Sequence, residues 1–228
     1  MLKISFPLIL INFKTYQESL GREAMVLATI AEKVGSEYGV CIAVAPQFVD
    51  ISAIATNVQI PVFSQHVDPE PPGPHTGRIT PESLKAVGAV GSILNHSEHR
   101  LGTGLLRETL GRCKSLGLVT CVCANTPRVA KVLSALNPDM VAVEPPELIG
   151  TGVSVSRAQP GVITDSVERV KSININIKVL CGAGITSGND VAMALQLGSE
   201  GILVASGLVK ARNPESVLRD FALKAAKS

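Results

Sequence analysis

Four side chains in this sequence, Asn12, Lys14, His96 and Glu144, stand in the segments that follow short apolar runs, and they are one amide, one ammonium, one imidazole and one carboxylate. Such a set suits proton transfer beside a carbonyl group while an anion is held. Glu144 closes the run "MVAV" and is followed by Pro145 and Pro146, which read as a stiff hinge behind a fixed carboxylate. Carboxylates held where water can be excluded make effective general bases. His96 lies in "NHSEHR", residues 95–100, and the next segment predicts a helix starting near Ser97. A helix N-terminus disfavours an imidazolium, so His96 would act as a neutral hydrogen-bond donor. Lys14 follows Asn12 by two residues in "NFK", and the pair shares one strand face if the strand continues. On chemistry alone Lys14 fits either an imine-forming lysine or a fixed cation facing substrate oxygens.

Glycine-rich stretches supply the anion grip. "GAGITSG", residues 182–188, approaches a dinucleotide fingerprint, but position 187 is Ser and no acidic residue closes a following strand. As a small-residue turn ahead of a helix, it lets backbone N–H groups approach an anion. "EPPELIGTG", residues 144–152, has stiff ends around a short middle and reads as a lid that moves as one body. "LGTG" at 101–104 repeats some of those letters at a helix start and carries no assignment.

Eight apolar runs of four to six residues precede these groups: 8–11, 40–45, 60–63, 90–94, 118–123, 140–143, 177–181 and 201–205. They are rich in Val, Ile and Leu without strict polar alternation, as strands buried on both faces are. Between them run amphipathic stretches. Residues 21–38 set Leu27, Ile30, Ala31 and Val34 on one helical face, and 126–136 and 214–227 carry similar stripes. "TPES", "NTPR", "TDSVE" and "NPES" supply helix starts. Eight strands with helices between them predict an α/β fold, a single (β/α)8 barrel over 1–228, with a doubly wound open sheet as the alternative. In a barrel the strand-end groups gather at the carboxyl rim.

Composition fits that frame. Of 228 residues 46% are apolar, 18% charged and 3% aromatic, so a large aliphatic core is available and disorder is not expected. A net charge of +2 without a Lys/Arg block argues against nucleic acid. Five cysteines without C-x-x-C suggest reduced thiols, neither a disulfide framework nor a zinc site. No apolar run reaches the roughly 20 residues a membrane helix needs, and the N-terminal patch lacks a signal-peptide pattern, so a soluble, cytoplasmic protein is expected.

With "TGRIT" (76–80), "CGAG" (181–184) and "LVASG" (203–207), the motifs "NFK", "NHSEHR" and "EPPELIGTG" stand in an order that resembles the triosephosphate isomerase family along the whole chain. The resemblance implies interconversion of dihydroxyacetone phosphate and D-glyceraldehyde 3-phosphate without metal or organic cofactor. It makes Glu144 the base on carbon and His96 the donor to oxygen, with Asn12 and Lys14 binding substrate. It places the phosphate against Ile149, Gly150, Gly184, Ala205 and Ser206, beneath a lid that protects the enediolate intermediate. Thr76 matches a loop inserted into a neighbouring subunit, and Glu98 would be a buried partner of Lys14 or an anchor at that contact. The chain is compact, like the archaeal branch, which implies a homo-oligomer, dimer or tetramer, with the tetramer favoured. Phe13, Asn95, "PPEL", Gly184 and the pair Ala205–Ser206 depart from common family residues, touching phosphate affinity and lid kinetics. Two rivals remain: a barrel aldolase forming an imine at Lys14 or Lys178, and an inactive phosphate-binding protein. The latter should have lost base or electrophile, and neither is lost. His99 reads as structural, and Cys123 as packed in the fifth strand.

Overall fold

The computed structural model describes residues 3–145, 148–150, 152 and 154–227, so Pro146, Glu147 and Thr151 of the expected lid lie outside the described residues. Eight strands are present: β1 (Leu8–Asn12), β2 (Cys41–Ala45), β3 (Phe63–Ser64), β4 (Gly91–Leu94), β5 (Val119–Ala124), β6 (Met140–Val143), β7 (Lys178–Gly182) and β8 (Gly201–Val204). All eight coincide with the apolar runs to within a few residues. Their order is β2-β1-β8-β7-β6-β5-β4-β3, and every pairing is parallel. β1 therefore meets β8, and a parallel bridge from Val44 to Val62, with the Val44 N–H on the Pro61 carbonyl at 3.1 Å, joins the two ends of the row. An open doubly wound sheet would leave two free edges; this sheet closes as a barrel. β3 is the thinnest stave, because Ile60 and Pro61 precede it outside the ladder.

Alternation along the strands sorts the core into two layers. Leu8, Leu10, Phe63, Ile93, Met140 and Leu203 fill the barrel interior, interleaved with small residues such as Ala43 and Ala142. Ile9, Ile11, Val44, Val122, Val179 and Ile202 face the other way, against the helices. Each such side chain contributes on the order of 1.5–3 kcal/mol by leaving water. At the start of β4, a Cβ on Gly91 would lie 2.2 Å from the Val119 carbonyl, so only glycine allows that strand contact.

The helices follow in order: α1 (Arg22–Tyr38), α2 (Phe48–Asn57), α3 (Pro81–Ala86), α4 (Thr103–Ser115), α5 (Pro127–Ser134), α6 (Val155–Ala158), α7 (Pro160–Lys171), α8 (Gly188–Gln196), α9 (Ser206–Val209) and α10 (Pro214–Ala225). On α1 the predicted stripe is buried at Leu27, Ala31 and Val34, with Ile30 partly covered. Three of the four predicted start signals are caps: Thr80, Thr126 and Asn213 each accept a backbone N–H from three residues ahead, with Pro in the first turn. "TDSVE" is not. It lies inside α7, which begins at Pro160, where the ring presets the helical φ. Among the described residues no helix is long and apolar enough to cross a membrane.

Candidate active site

All four candidate groups follow the carboxyl ends of their strands. Asn12 is the last residue of β1 and is 5% exposed. The strand stops there, contrary to the expectation that Asn12 and Lys14 share a continuing strand face. Lys14 has φ +49°, and its N–H is held by the Asn12 Oδ1 at 3.0 Å. Gln65, after β3, clamps the same turn from outside, donating Nε2 to the Lys14 carbonyl at 2.8 Å and the Ala45 carbonyl at 3.0 Å. The turn aims Lys14 inward, and its Nζ meets the Glu98 Oε1 at 2.8 Å. Glu98 is thus the partner of Lys14, but its side chain is 60% exposed and not buried as expected.

His96 follows β4 by two residues and is buried. The helix expected near Ser97 begins only at Thr103; residues 97–99 form a turn, closed by the His99 N–H on the His96 carbonyl at 2.9 Å. "LGTG" does supply the start of α4, with Gly102 as its cap. A different backbone group therefore sets the imidazole: its Nδ1 accepts the Glu98 N–H at 3.2 Å. Of the two neutral tautomers, this bond fits the one with its hydrogen on Nε2; the Glu98 Oε2 lies 3.5 Å from the same Nδ1. Nε2 points at the Glu144 Oε2, 3.4 Å away. His99 turns aside and stacks on His66, ring centres 4.1 Å apart.

Glu144 leaves β6 with its N–H on the Ala124 carbonyl at 2.8 Å. Its carboxylate is buried, and Oε2 has no hydrogen-bond partner among the described residues. Two neighbours shape its seat, and neither was singled out from sequence as doing so. Gly182, ending β7, leaves the space: a Cβ there would lie 2.4 Å from the Glu144 Cγ and 3.0 Å from Oε1. Cys123 packs in β5 as expected, and burial first, then the adjacent Glu144 carboxylate, hold its thiol well above the usual range. It stays protonated and is a weak donor toward Glu144, unsuited to nucleophilic work. The small residues of "CGAG" were the available signal for the first; nothing local marks the second.

A cavity of about 260 Å³ opens over these groups, lined by Asn12, Lys14 and Glu144 and by all five residues expected at a phosphate: Ile149, Gly150, Gly184, Ala205 and Ser206. This lies just under the about 300–1,000 Å³ of drug-sized sites, as befits a smaller ligand. His96 and Glu98 line an adjoining space of about 160 Å³ that shares Asn12 and Lys14 as walls. Thr76 is exposed on the loop after β3 and lines neither space. Lys178, the rival imine lysine, begins β7 at the opposite end of the barrel and pairs with Glu200 at 2.7 Å.

Comparison with known proteins agrees with this geometry. A family model of triosephosphate isomerase matches residues 7–221. The triosephosphate isomerase of Methanocaldococcus jannaschii is 53% identical over 214 residues, 94% of this chain and 98% of that protein. Those of Methanobrevibacter smithii and Methanothermus fervidus are 47% and 46% identical, across 96% and 94% of this chain and 98% and 97% of their own lengths. These relatives are archaeal and share the compact length. The chain belongs to the triosephosphate isomerase family.

Proposed function

We propose that the chain interconverts dihydroxyacetone phosphate and D-glyceraldehyde 3-phosphate. The observation that carries this is the meeting of the Glu144 Oε2 and His96 Nε2 at 3.4 Å, on the rim that also holds Lys14 and Asn12. The two trioses differ by one hydrogen moved between neighbouring carbons and one between the oxygens on them. Glu144, whose Oε2 accepts no hydrogen bond among the described residues, takes the proton from the first carbon. The electron pair flows onto the carbonyl oxygen, and the substrate becomes an enediolate. His96, through Nε2–H, donates to that oxygen; placed between both oxygens, it also carries the proton exchanged between them. Lys14 and Asn12 offset the negative charge, and the protonated Glu144 returns its proton to the second carbon. Backbone at Ile149, Gly150, Gly184, Ala205 and Ser206 receives the phosphate, with "PPELIGTG" as the cover that keeps water out.

On this reading no metal or organic cofactor takes part, and residues 1–228 work as one catalytic barrel in the cytoplasm. A homo-oligomer accompanies it, a tetramer by likeness to the compact archaeal branch, with the Thr76 loop reaching a neighbouring subunit. The Lys14 Nζ is already engaged by the Glu98 Oε1 at 2.8 Å, which supports a fixed cation over an imine. A coupled assay in both directions tests the proposal. The parent should turn over either triose phosphate, and Glu144→Gln should lower kcat by about 10³ or more with an intact fold. Parent-like turnover in Glu144→Gln would refute the assignment.

A further inference from the structure

Behind the expected phosphate loop lies a buried carboxylate that the mechanism does not use. Asp190, in the first turn of α8, is fully buried. Its Oδ2 accepts the backbone N–H groups of Thr186 and Ser187, at 3.1 and 2.9 Å, and both their hydroxyls, at 3.3 and 2.9 Å. Its Oδ1 accepts the Arg157 Nε at 2.5 Å. Arg157 belongs to α6, which follows Gly150 and Gly152 in the chain. The same two stretches are tied twice more: the Ser156 hydroxyl donates to the Asp190 carbonyl at 3.2 Å, and the Val155 N–H to the Ala183 carbonyl at 3.4 Å. Thr186 and Ala183 line the cavity of about 260 Å³ over Glu144; Arg157 and Asp190 do not.

One carboxylate thus holds the end of the loop from Ala183 to Ser187 and, through Arg157, the stretch where the chain re-enters helix after Gly152. Four of its five donors come from the loop itself, so the loop turn survives without Arg157; what Arg157 adds is registration between two separate segments. Both contribute backbone to the expected phosphate site. Resting on the function proposed above, we infer that Arg157 and Asp190 are positioning residues for phosphate binding, setting the loop of Gly184 against that of Gly150. They touch no reacting atom.

The consequence is a split between binding and chemistry. Arg157→Met removes the one charged tie of the three while Asp190 keeps its four loop donors, and the Arg157 side chain is half exposed, so the fold should hold. Misplacing binding groups by about 1 Å can cost up to about 10²-fold; for this indirect tie we expect KM for either triose phosphate to rise about tenfold. The dissociation constant of inorganic phosphate, read by calorimetry, should rise in step, with kcat within about threefold of the parent. Arg157→Lys should recover most of the loss. Asp190→Asn should exceed Arg157→Met, because its amide sets a donor against either Arg157 or the loop N–H groups. KM and phosphate affinity within twofold of the parent in Arg157→Met, or a fall in kcat at unchanged phosphate affinity, would overturn the inference. An inactive parent would instead overturn the proposed function, since the calorimetric comparison needs no turnover.

Discussion

Gly182→Ala isolates the placement of the general base from its chemistry. At this position the added methyl carbon would lie 2.4 Å from the Glu144 Cγ and 3.0 Å from both Cδ and Oε1, and no other atom is as near. Restoring an ordinary contact of 3.4 Å requires the Glu144 side chain to retreat about 1 Å. The backbone of residue 182 is not in the left-handed region, so alanine costs nothing there by itself. Two effects then compete. Overpacking a buried site typically costs about 1–3 kcal/mol of stability, which a barrel with this much buried aliphatic surface withstands. Moving a catalytic group by about 1 Å costs about 10² in rate.

The expected result is a folded protein whose kcat is about 10²-fold lower with KM little changed, because the phosphate-facing residues lie elsewhere along the cavity. Steady-state kinetics with both triose phosphates, beside a thermal melt, reads both sides. Gly91→Ala is the contrasting case: its methyl meets the Val119 carbonyl at 2.2 Å, backbone that cannot yield, so it should lose the fold and not merely the rate. A Gly182→Ala variant with parent kcat, or one that unfolds as Gly91→Ala does, would refute the reasoning.

Two further outcomes follow from the site and its surroundings. Borohydride with either triose phosphate should trap no adduct at Lys14 or Lys178, while Lys14→Met should lower kcat/KM by about 10²–10³ as a preorganised cation is lost; a stable adduct would establish the imine rival. Stability should fall with acid in two stages. Burial, partly offset by Asp68, holds His66 below its ordinary value of 6.5, so the unfolded chain binds that proton more readily and stability drops as pH falls through and below about 6.5. Burial raises Asp68, Asp190 and Glu200, but the Ile79 N–H, the donors Arg157, Thr186 and Ser187, and Lys171 with Lys178 outweigh it and hold them low. Their contribution is present above about pH 4 and lost as they protonate. Urea midpoints between pH 7 and 3 check both stages; His66→Gln should flatten the first and, because His66 helps hold Asp68 low, weaken the Asp68 part of the second, and an unflattened first stage would remove His66 from the account.

The strands were legible because a barrel stave is buried on both faces, and that leaves an unbroken aliphatic run such as "LILI" or "MVAV" in the chain. Capped helices were legible for a similar local reason: Thr80, Thr126 and Asn213 bond to residues only three ahead. "TDSVE" misled because the same letters serve inside a helix once Pro160 has started it. The candidate groups could be named from the strand ends, but their setting could not. His96 takes its tautomer from a turn and not from a helix, and the exposure of Glu98 depends on how far the turn carries it outward. Gly182 and Cys123 bear on Glu144 only because β5, β6 and β7 are neighbours in space, a relation that no stretch of sequence near 144 contains.

Backbone strain in this chain gathers around the candidate site. Among the described residues, four that are not glycine have positive φ: Lys14, Asn95, Asn137 and Ala183. Three of them adjoin the candidate site. A side chain in the left-handed region costs on the order of 1 kcal/mol or more, so it persists only where the surroundings over-determine it. At Lys14 they do: Asn12 holds its N–H, Gln65 its carbonyl and Glu98 its ammonium. At Asn95 the side chain donates to the Cys123 carbonyl at 2.9 Å and accepts the Leu101 N–H at 3.0 Å, while Arg100 donates to its carbonyl at 3.1 Å. Glycine would relieve both turns, yet at 14 it would delete the cation, and at 95 it would delete the bonds that set the chain entering His96. Asparagine here trades the relief that glycine would give for two anchors, on Cys123 of β5 and on Leu101 ahead of α4. Strain of this kind is expected where a side chain is worth more than an easy turn, and in this protein it falls beside the ammonium, the imidazole and the anion loop.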